Sequence, residues 1–360
     1  MNNANLENFS KIKDYYIYLC HLFTLHHEFS SKDYILFNYH DLFQTPLQPL
    51  RDNLQSQTYE CFEEDLIKYD LYQKAIEKAL NNFKTKGKLS LAVSQSNMII
   101  EDKRDISKSN TNKRILNAYV LGAGRGPLAR RLINAAIDSG FLIGEDIYIT
   151  CVEKNRNAFN SLLYLQLCEP ELFSKVKMLN ADMRDFKPDQ KVDIVISELL
   201  GSFGDNELSP ECLIGIQNYL NEDSIMIPHS YTSFIRPVSC PVVWSGVKYI
   251  LIFIKIKKVD NNYQSPYVIL LNKAYYPIEK VEECFSFVHP VKNKDLNQIK
   301  SIHFKFDKES IIHGFAGYFK TNLYDDVEIS IVPDSHTPTM MSWFPMYFPS
   351  IVRNHLFIIL

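Results

Sequence analysis

Two glutamates, Glu198 and Glu207, lie nine positions apart on either side of a glycine-containing stretch, SELLGSFGDNE. A protein guanidinium stays protonated and presents five N–H donors in a fixed planar fork. Two carboxylates can hold that fork, fix its orientation and draw positive charge toward the held nitrogens, so that the remaining nitrogen becomes a better nucleophile. On spacing alone the pair equally fits two unrelated solvated acids, so its interpretation depends on where the fold places it.

A glycine-rich turn, LGAGRGP at 121–127, lies between an apolar run and a helical pattern. Gly122, Gly124 and Gly126 let the backbone turn tightly and approach a ligand, while the N-terminus of the following helix supplies unpaired N–H groups. Many Rossmann-like proteins have such a turn, and a tight strand–helix connection without a ligand is the alternative. The motif predicts a nucleotide-like cofactor only together with other residues.

Acidic residues follow the next two predicted strands. Glu153 ends the second strand and is placed to accept hydrogen bonds from the two ribose hydroxyls of an adenosine. Asp182 ends the third strand and can accept from the adenine amino group, with Met183 against the ring. A nicotinamide dehydrogenase would share the glycine turn and the first acid, but it would need neither Asp182 nor the two-glutamate loop.

Strands and helices alternate regularly in the part of the chain that contains these residues. Apolar strand patterns at 115–121, 146–152, 175–179 and 192–197 are separated by helical patterns at 128–139 and 157–167. This alternation predicts a parallel, doubly wound sheet, and ligands of such sheets bind at the carboxyl ends of the strands. After Pro228 short strand-like runs recur with little helix, which predicts an antiparallel β domain, a barrel or a sandwich.

The chain therefore divides into three predicted parts. Residues 1–33 form a leader in which apolar residues over 11–29 recur at helical spacing, which predicts an amphipathic helix. Residues 34–228 form a Rossmann-like α/β domain in which the polar stretch 84–113 is a surface loop. Residues 229–360 form the β-barrel domain.

Composition limits the classes of partner. The 360 residues are 46% hydrophobic and carry a formal net charge of −3, which gives no electrostatic reason to expect direct binding of nucleic acid. The apolar run at 249–258 is too short and too rich in lysine to cross a bilayer, so we expect a strand there and no membrane association. Seven scattered cysteines without metal-ligand spacing fit reduced thiols in the cytoplasm or nucleus, and no metal is expected.

Eight motifs, in the same order, resemble those of the protein arginine methyltransferase 5 family, the type II enzymes that form symmetric dimethylarginine. They span roughly residues 34–349 and are PLQPLRDNLQSQTYECFEEDLIKY at 46–69, GAGRGP at 122–127, VEKN at 152–155, DMR at 182–184, SELLGSFGDNELSPECL at 197–213, IPHSYTSF at 227–234, HGFAGYF at 313–319 and SWFP at 342–345. A generic methyltransferase would share only the glycine turn, so the resemblance is specific.

The resemblance implies roles for the matching residues. Glu198 and Glu207 would hold the substrate arginine, Trp343 would stack on its guanidinium, and Phe62 would favour the symmetric product. The substrate channel would include Phe37, where the alignment is loose. The implied S-adenosylmethionine site comprises Leu50, Tyr59, Lys68, Gly122, Gly124, Gly126, Glu153, Asp182 and Met183.

The resemblance also implies a function. We expect methyl transfer from S-adenosylmethionine to arginine in histone tails and Arg/Gly-rich RNA-binding proteins, in cytoplasm and nucleus, by a chain that could form a homodimer. The family's N-terminal TIM-barrel domain is not matched, so binding of its WD-repeat partner stays open. The family's last barrel strands are replaced by SIVRNHLFIIL at 350–360, which predicts an incomplete barrel. A catalytically inactive, shortened paralogue that acts as a binding or scaffold protein is therefore the alternative.

Overall fold

Five parallel strands form the first sheet of the computed structural model, which describes residues 13, 15–22, 36–85, 115–248, 259–272, 275–292, 295–307 and 309–350. The sheet has the order β3-β2-β1-β4-β5, and its strands are β1 (Leu116–Leu121), β2 (Ile147–Glu153), β3 (Lys177–Asn180), β4 (Val192–Ser197) and β5 (Leu220–Ile227). β1 and β4 are almost wholly buried, as expected for strands covered on both faces. The direction of strand order changes between β1 and β4, where open α/β sheets bind ligands.

Helices cover this sheet and connect its strands. The α-helices between residues 56 and 247 are α1 (Ser56–Glu63), α2 (Leu66–Thr85), α3 (Pro127–Asp138), α4 (Arg156–Cys168), α5 (Pro170–Phe173), α6 (Ser209–Leu213) and α7 (Pro241–Val247). α2 and α3 pack against each other with buried alanines at their contact faces, among them Ala75, Ala79 and Ala136. Small side chains allow close approach of the two helices.

Seven antiparallel strands form a second sheet. They are β6 (Ser230–Ser239), β7 (Tyr267–Val268), β8 (Tyr276–Pro277), β9 (Glu282–Val288), β10 (Gly314–Tyr324), β11 (Val327–Ser330) and β12 (Met346–Pro349). The order is β7-β12-β10-β6-β8, with β11 paired to β10 and β9 paired to β6. Among the described strands these pairings do not close into a ring.

The two sheets meet through α2 and through the segment at residues 40–44. α2 contacts β5 of the first sheet and also β10 and β11 of the second. Gln44 forms a bridge with Val268 in β7, so chain that precedes α1 joins the antiparallel sheet. The sheet-to-sheet connection is short, since β5 ends at Ile227 and β6 begins at Ser230. Both sheets can therefore contribute to one site.

The mixed α/β architecture expected from the sequence is present, and several details differ. β5 was not predicted, because the segment before Ile227 is polar and lacks a strand pattern. The predicted loop at 84–113 begins too early, since α2 continues through Thr85; its remainder, the predicted strand at 249–258 and the segment 351–360 lie outside the described residues. Within the predicted helix at 11–29, residues 15–22 are helical, and Tyr15, Tyr16 and Leu19 are exposed.

Candidate active site

A cavity of about 540 Å3 opens at the carboxyl edge of the parallel sheet. Its lining comes from the glycine turn, the strand ends, α1, the start of α2 and a segment of the antiparallel domain. Twelve of the residues selected from the sequence lie in it: Leu50, Tyr59, Phe62, Lys68, Gly122, Gly124, Glu153, Asp182, Met183, Glu198, Glu207 and Trp343. Residues 293 positions apart thus meet in one pocket.

The glycine turn lies directly beneath α1. Gly122 and Gly124 have φ values of +74° and +56°, a conformation that L side chains rarely adopt. A Cβ atom on Gly124 would lie 3.2 Å from the Tyr59 ring, so the absence of a side chain lets the ring of α1 pack on the turn. The backbone of the turn and the aromatic ring together form one side of the cavity.

Glu153, at the end of β2, organises the turn. Its Oε2 accepts a hydrogen bond of 2.8 Å from the Gly124 amide and its Oε1 accepts one of 2.6 Å from the Asn155 amide. The side chain is buried, and desolvation raises the pKa of its carboxyl despite these two donors. Each carboxylate oxygen has a second lone pair that can accept from a ligand hydroxyl in the cavity.

Asp182 lies one strand further along the same edge. Arg184 binds its carboxylate through Nε at 3.0 Å and Nη2 at 2.7 Å, and the hydrogen bonds from Arg184 lower the pKa of Asp182. Met183 reaches the glycine turn, because its Cε would lie 3.2 Å from a Cβ built on Gly122. An acceptor and an apolar side chain therefore lie where the sequence predicts recognition of a flat heteroaromatic ring.

α1 covers the cavity on the side away from the sheet. The Tyr59 hydroxyl accepts a hydrogen bond of 3.2 Å from Asn155 Nδ2, and burial raises its pKa to about 12. The same Asn155 side chain donates to the Leu54 carbonyl at 3.0 Å, and Lys154 donates to the Leu50 carbonyl. These bonds tie the segment at 50–59 to the end of β2.

The loop after β4 folds back on itself and returns Glu207 toward Glu198. Gly201 and Gly204 exchange two backbone hydrogen bonds of 3.0 and 2.9 Å, and Asn206 Oδ1 accepts from the Phe203 amide at 2.8 Å. This tight hairpin brings both glutamates to the same cavity, although they lie nine positions apart in sequence. The geometry thus selects the paired arrangement over that of two unrelated surface acids.

The Glu207 carboxyl titrates differently from an ordinary glutamate. Burial raises its pKa well above the usual range, the negative charge of Glu198 raises it further, and the positive charge of Lys68 opposes both effects. A cation that entered the pocket would favour the ionised carboxylate in the same way as Lys68. The pair is therefore suited to a positively charged ligand.

Lys68 occupies the cationic position in this structure. Its side chain is 1% exposed, and Nζ lies 3.2 Å from Glu198 Oε2. The same Nζ lies above three rings, at 5.2 Å from the Phe62 centroid, 4.8 Å from Tyr69 and 5.0 Å from Trp343. Rings and carboxylate together make a cage that holds a cation.

Two selected residues lie elsewhere. Phe37 does not line the cavity and is 65% exposed, whereas Leu36 and Tyr39 do line it, so the structure does not bring Phe37 together with the other selected residues. Gly126 faces α4 rather than the cavity, because a Cβ there would lie 2.6 Å from Leu165 Cδ1. The missing side chain of Gly126 allows close packing between the turn and α4.

Three residues that sequence reasoning did not select support the site. Asn155 links Glu153, Leu54 and Tyr59, and it lies in the VEKN motif noted above. Tyr69 completes the aromatic cage, and a helical pattern alone could not separate it from core residues. Asp65 binds the segment before Trp343, a contact across more than 270 positions that no local pattern reveals.

Two reactive residue types lie in structural roles. Cys212 lines the cavity, but burial raises the pKa of its thiol to about 11, which disfavours the nucleophilic thiolate. His313 accepts a hydrogen bond of 3.3 Å from the Cys240 amide in the antiparallel domain and does not line the cavity. Within the described residues, no group of three or more potential ligands could hold a metal ion.

Comparison with known proteins decides the family. A model described as PRMT5 arginine-N-methyltransferase matches residues 30–227, and one described as PRMT5 oligomerisation domain matches residues 230–357. The chain belongs to the PRMT5 arginine-N-methyltransferase family. The change of model near residue 228 coincides with the step from β5 to β6.

Relatives in this PRMT5 family come from distant organisms. Protein arginine N-methyltransferase 5 of Xenopus laevis is 41% identical over 86% of the chain and 44% of its own length. The Oryza sativa subsp. indica protein of that name is 38% identical over 94% of the chain and 48% of its length. The skb1 methyltransferase of Schizosaccharomyces pombe is 36% identical over 97% and 52%. The chain thus spans about half the length of these relatives.

Solved structures agree with the fold. A Trypanosoma brucei PRMT1 enzyme-prozyme complex with AdoHcy has a TM-score of 0.55 at 17% identity, over 80% of each chain. Arabidopsis thaliana protein arginine methyltransferase 10 has a TM-score of 0.52 at 14% identity, over 66% of the PRMT5-family chain and 75% of its own.

In the part of the chain that is described, no helix combines the length and hydropathy needed to span a membrane.

Proposed function

We propose that the chain transfers methyl groups from S-adenosylmethionine to the guanidinium of protein arginine residues, with symmetric dimethylarginine as its final product. The observation that carries this proposal is that the glycine turn with Glu153 and the Glu198–Glu207 pair line the same cavity. A cofactor site and a cation site are thereby adjacent. Family membership supports the reaction class.

The residues present fit the adenosyl cofactor. Glu153 offers free lone pairs to the ribose hydroxyls, Asp182 offers acceptors to the adenine amino group, and Met183 supplies an apolar surface for the ring. The bound cofactor supplies an electrophilic methyl group on a sulfonium. The cofactor's positive charge and that of the substrate both suit a cavity that contains two glutamates.

The substrate guanidinium fits the site that Lys68 Nζ occupies, here named the arginine pocket: Phe62, Tyr69, Glu198, Glu207 and Trp343. Each carboxylate–cation contact near 4 Å attracts by about 4 kcal/mol at an effective dielectric of about 20, before desolvation is subtracted. Stacking on an aromatic ring adds about 0.5–2 kcal/mol. Lys68, which the resemblance assigns to the cofactor site, must leave this position when the substrate enters.

The transfer needs alignment rather than a protein nucleophile. With the cofactor bound, the free guanidinium nitrogen would take the methyl group from the sulfonium, and the electrons of the broken C–S bond would remain on sulfur. The methylated nitrogen then loses one proton, and Glu207, whose pKa is raised, is suited to accept it. Phe62 lines the cavity at the arginine pocket, and its ring would limit how a monomethylated guanidinium can turn for the second transfer.

The proposed substrates are histone tails and Arg/Gly-rich RNA-binding proteins in cytoplasm and nucleus. An oligomer is proposed from the match of residues 230–357 to the oligomerisation model. The deciding experiment incubates the purified chain with labelled S-adenosylmethionine and an Arg/Gly-rich peptide, hydrolyses the product and separates the dimethylarginine isomers. We expect label in monomethyl- and symmetric dimethylarginine. Cofactor binding without any labelled arginine would instead identify a scaffold protein.

A further inference from the structure

Asp65 lies between α1 and α2 and binds a distant part of the chain. Its carboxylate Oδ2 accepts hydrogen bonds of 2.8 Å from the Met341 amide, 2.7 Å from the Ser342 amide and 2.7 Å from the Ser342 hydroxyl. The residue is 5% exposed. A buried carboxylate oxygen with three donors is a strong, directional connection, because charge-assisted hydrogen bonds are shorter and stronger than neutral ones.

The two segments that Asp65 joins carry opposite sides of the arginine pocket. Phe62 and Lys68 lie three positions before and after it, while Trp343 directly follows Ser342. Lys68 Nζ lies 5.2 Å from the Phe62 ring centroid and 5.0 Å from that of Trp343, so the pocket spans the junction that Asp65 closes.

The ring of Trp343 has two further supports, and both come from residues outside α1 and α2. Its Nε1 donates to the Leu200 carbonyl at 2.8 Å, in the loop of the glutamates, and its ring meets Phe319 edge-on at 5.0 Å. Asp65 is thus the described hydrogen-bond connection between the Trp343 segment and the α1–α2 corner. That corner also carries Tyr59, which lies against the glycine turn.

We propose that Asp65 is a positioning residue of the arginine pocket, which ties the Trp343 segment to the α1–α2 corner and so holds Trp343 in stacking position. This inference rests on the proposed function for its kinetic consequence. Its structural part concerns the position of Trp343 and can be measured without cofactor or turnover. The effect on the substrate follows because a small displacement of a stacking ring weakens orientation of the guanidinium.

The first test measures how far Trp343 is accessible to acrylamide, by fluorescence quenching of the unliganded protein. The chain has two tryptophans, so Trp244→Phe leaves Trp343 as the single emitter. In that background Asp65→Asn removes the charge and is expected to raise the quenching constant about twofold, since a neutral amide oxygen holds the 341–343 segment less firmly. Ser342→Ala removes one of the three bonds and should give a smaller rise.

Asp193→Asn is the matched control. Asp193 is 1% exposed, and it accepts 2.8 Å and 2.7 Å hydrogen bonds from the Asn117 amide and Asn221 Nδ2, on a part of the sheet away from the cavity. The control loses a comparable buried carboxylate and should leave the quenching of Trp343 unchanged. If Asp65→Asn does not fold, Ser342→Ala decides the question by the same measurement.

The second test is kinetic. With the native Trp244, Asp65→Asn is expected to raise the peptide KM about tenfold and to leave the dissociation constant of S-adenosylhomocysteine within about threefold. A general loss of folded protein would lower kcat without this change in KM. Unchanged quenching and unchanged peptide KM in both Asp65→Asn and Ser342→Ala would overturn the inference. If the variants show the quenching difference but the wild-type chain methylates no peptide, the proposed function alone is contradicted.

Discussion

At the scale of single residues, the burial of Glu207 opposes folding and serves binding. Because the pKa of its carboxyl is raised in the folded protein, the stability linked to Glu207 is present at acid pH and is lost as pH rises through that raised pKa. Glu207→Gln removes one of the two carboxylates that hold the guanidinium, so kcat should fall by at least about 100-fold. The same change removes a buried ionisable carboxyl, so the thermal midpoint near neutral pH should rise by about 1–3 °C. A radioactive transfer assay and calorimetry measure the two effects.

Glu198→Gln is the control for that prediction. Glu198 is the ion-pair partner of the buried Lys68, so its neutralisation leaves a buried ammonium without its charge partner. We expect the same loss of transfer but a lower thermal midpoint than that of the wild type. Equal shifts of the midpoint in the two variants would contradict the assignment of different charge environments to the two glutamates.

The same carboxyl predicts a pH dependence. A guanidinium binds the ionised pair more tightly, and Glu207 keeps its proton to a higher pH than an ordinary glutamate in the free enzyme. At saturating cofactor, kcat/KM for an arginine peptide should therefore rise with pH from the ordinary glutamate range up to the raised pKa. A profile over this range measures the effect, and a falling or flat profile would exclude Glu207 as the titrating group.

At the scale of secondary structure, the glycine turn divides between a ligand surface and a packing surface. Gly124→Ala places a methyl group 3.2 Å from the Tyr59 ring, so it should displace α1 and raise the dissociation constant of S-adenosylhomocysteine about tenfold. Gly126→Ala places a methyl group 2.6 Å from Leu165, so its main effect should be a lower thermal midpoint. Calorimetric titration and thermal unfolding of both variants separate the two roles.

Local sequence patterns predict the strands well where the strands are apolar. They also place the site residues that directly follow those strands. The strands β1, β2, β3 and β4 follow from their apolar runs, and parallel strands of such a sheet align their carboxyl ends, which accounts for the joint placement of Glu153, Asp182 and Glu198. β5 does not follow from the sequence pattern, because its polar first half resembles a loop. Phe37 lies outside the cavity lining while Leu36 and Tyr39 lie in it, and a loose alignment cannot fix which of these nearby side chains turns inward.

Contacts between distant segments lie beyond what such patterns contain. Trp343 was selected through a motif, but nothing local indicates that Asp65 holds the segment before it or that Lys68 lies between its ring and that of Phe62. These positions depend on how the antiparallel sheet packs against α2. The sequence predicts the side of the cavity that the edge of the parallel sheet forms. Only the three-dimensional structure shows the side that α2 and the Trp343 segment form.

At the scale of the whole molecule, α2 joins the two sheets into one cooperative unit. Its buried residues, among them Tyr72, Ile76 and Leu80, pack in the same core that contains residues of both sheets. Leu80 is 0% exposed, and Leu80→Ala should cost about 2–5 kcal/mol of unfolding free energy. Lys78→Ala removes exposed ion pairs with Asp325 and Asp326 and should cost less than about 1 kcal/mol. Urea unfolding of both variants makes the comparison.

Cooperative unfolding also predicts that a ligand in the cofactor site stabilises the antiparallel sheet. At a concentration about 100 times its dissociation constant, S-adenosylhomocysteine should add about 2.7 kcal/mol to the stability of the folded state. Trp244, in α7, packs on Tyr263 and His313 in the antiparallel domain, so its emission in a Trp343→Phe variant reports unfolding of that domain. Because α2 packs against both sheets, we expect this emission and the far-ultraviolet circular dichroism to show one common unfolding transition. That transition should move to higher temperature when the ligand is added. The ligand concentration is chosen from the dissociation constant measured for the Trp343→Phe variant. An emission transition that stays at its unliganded temperature while the dichroism shifts would show that the two sheets unfold independently.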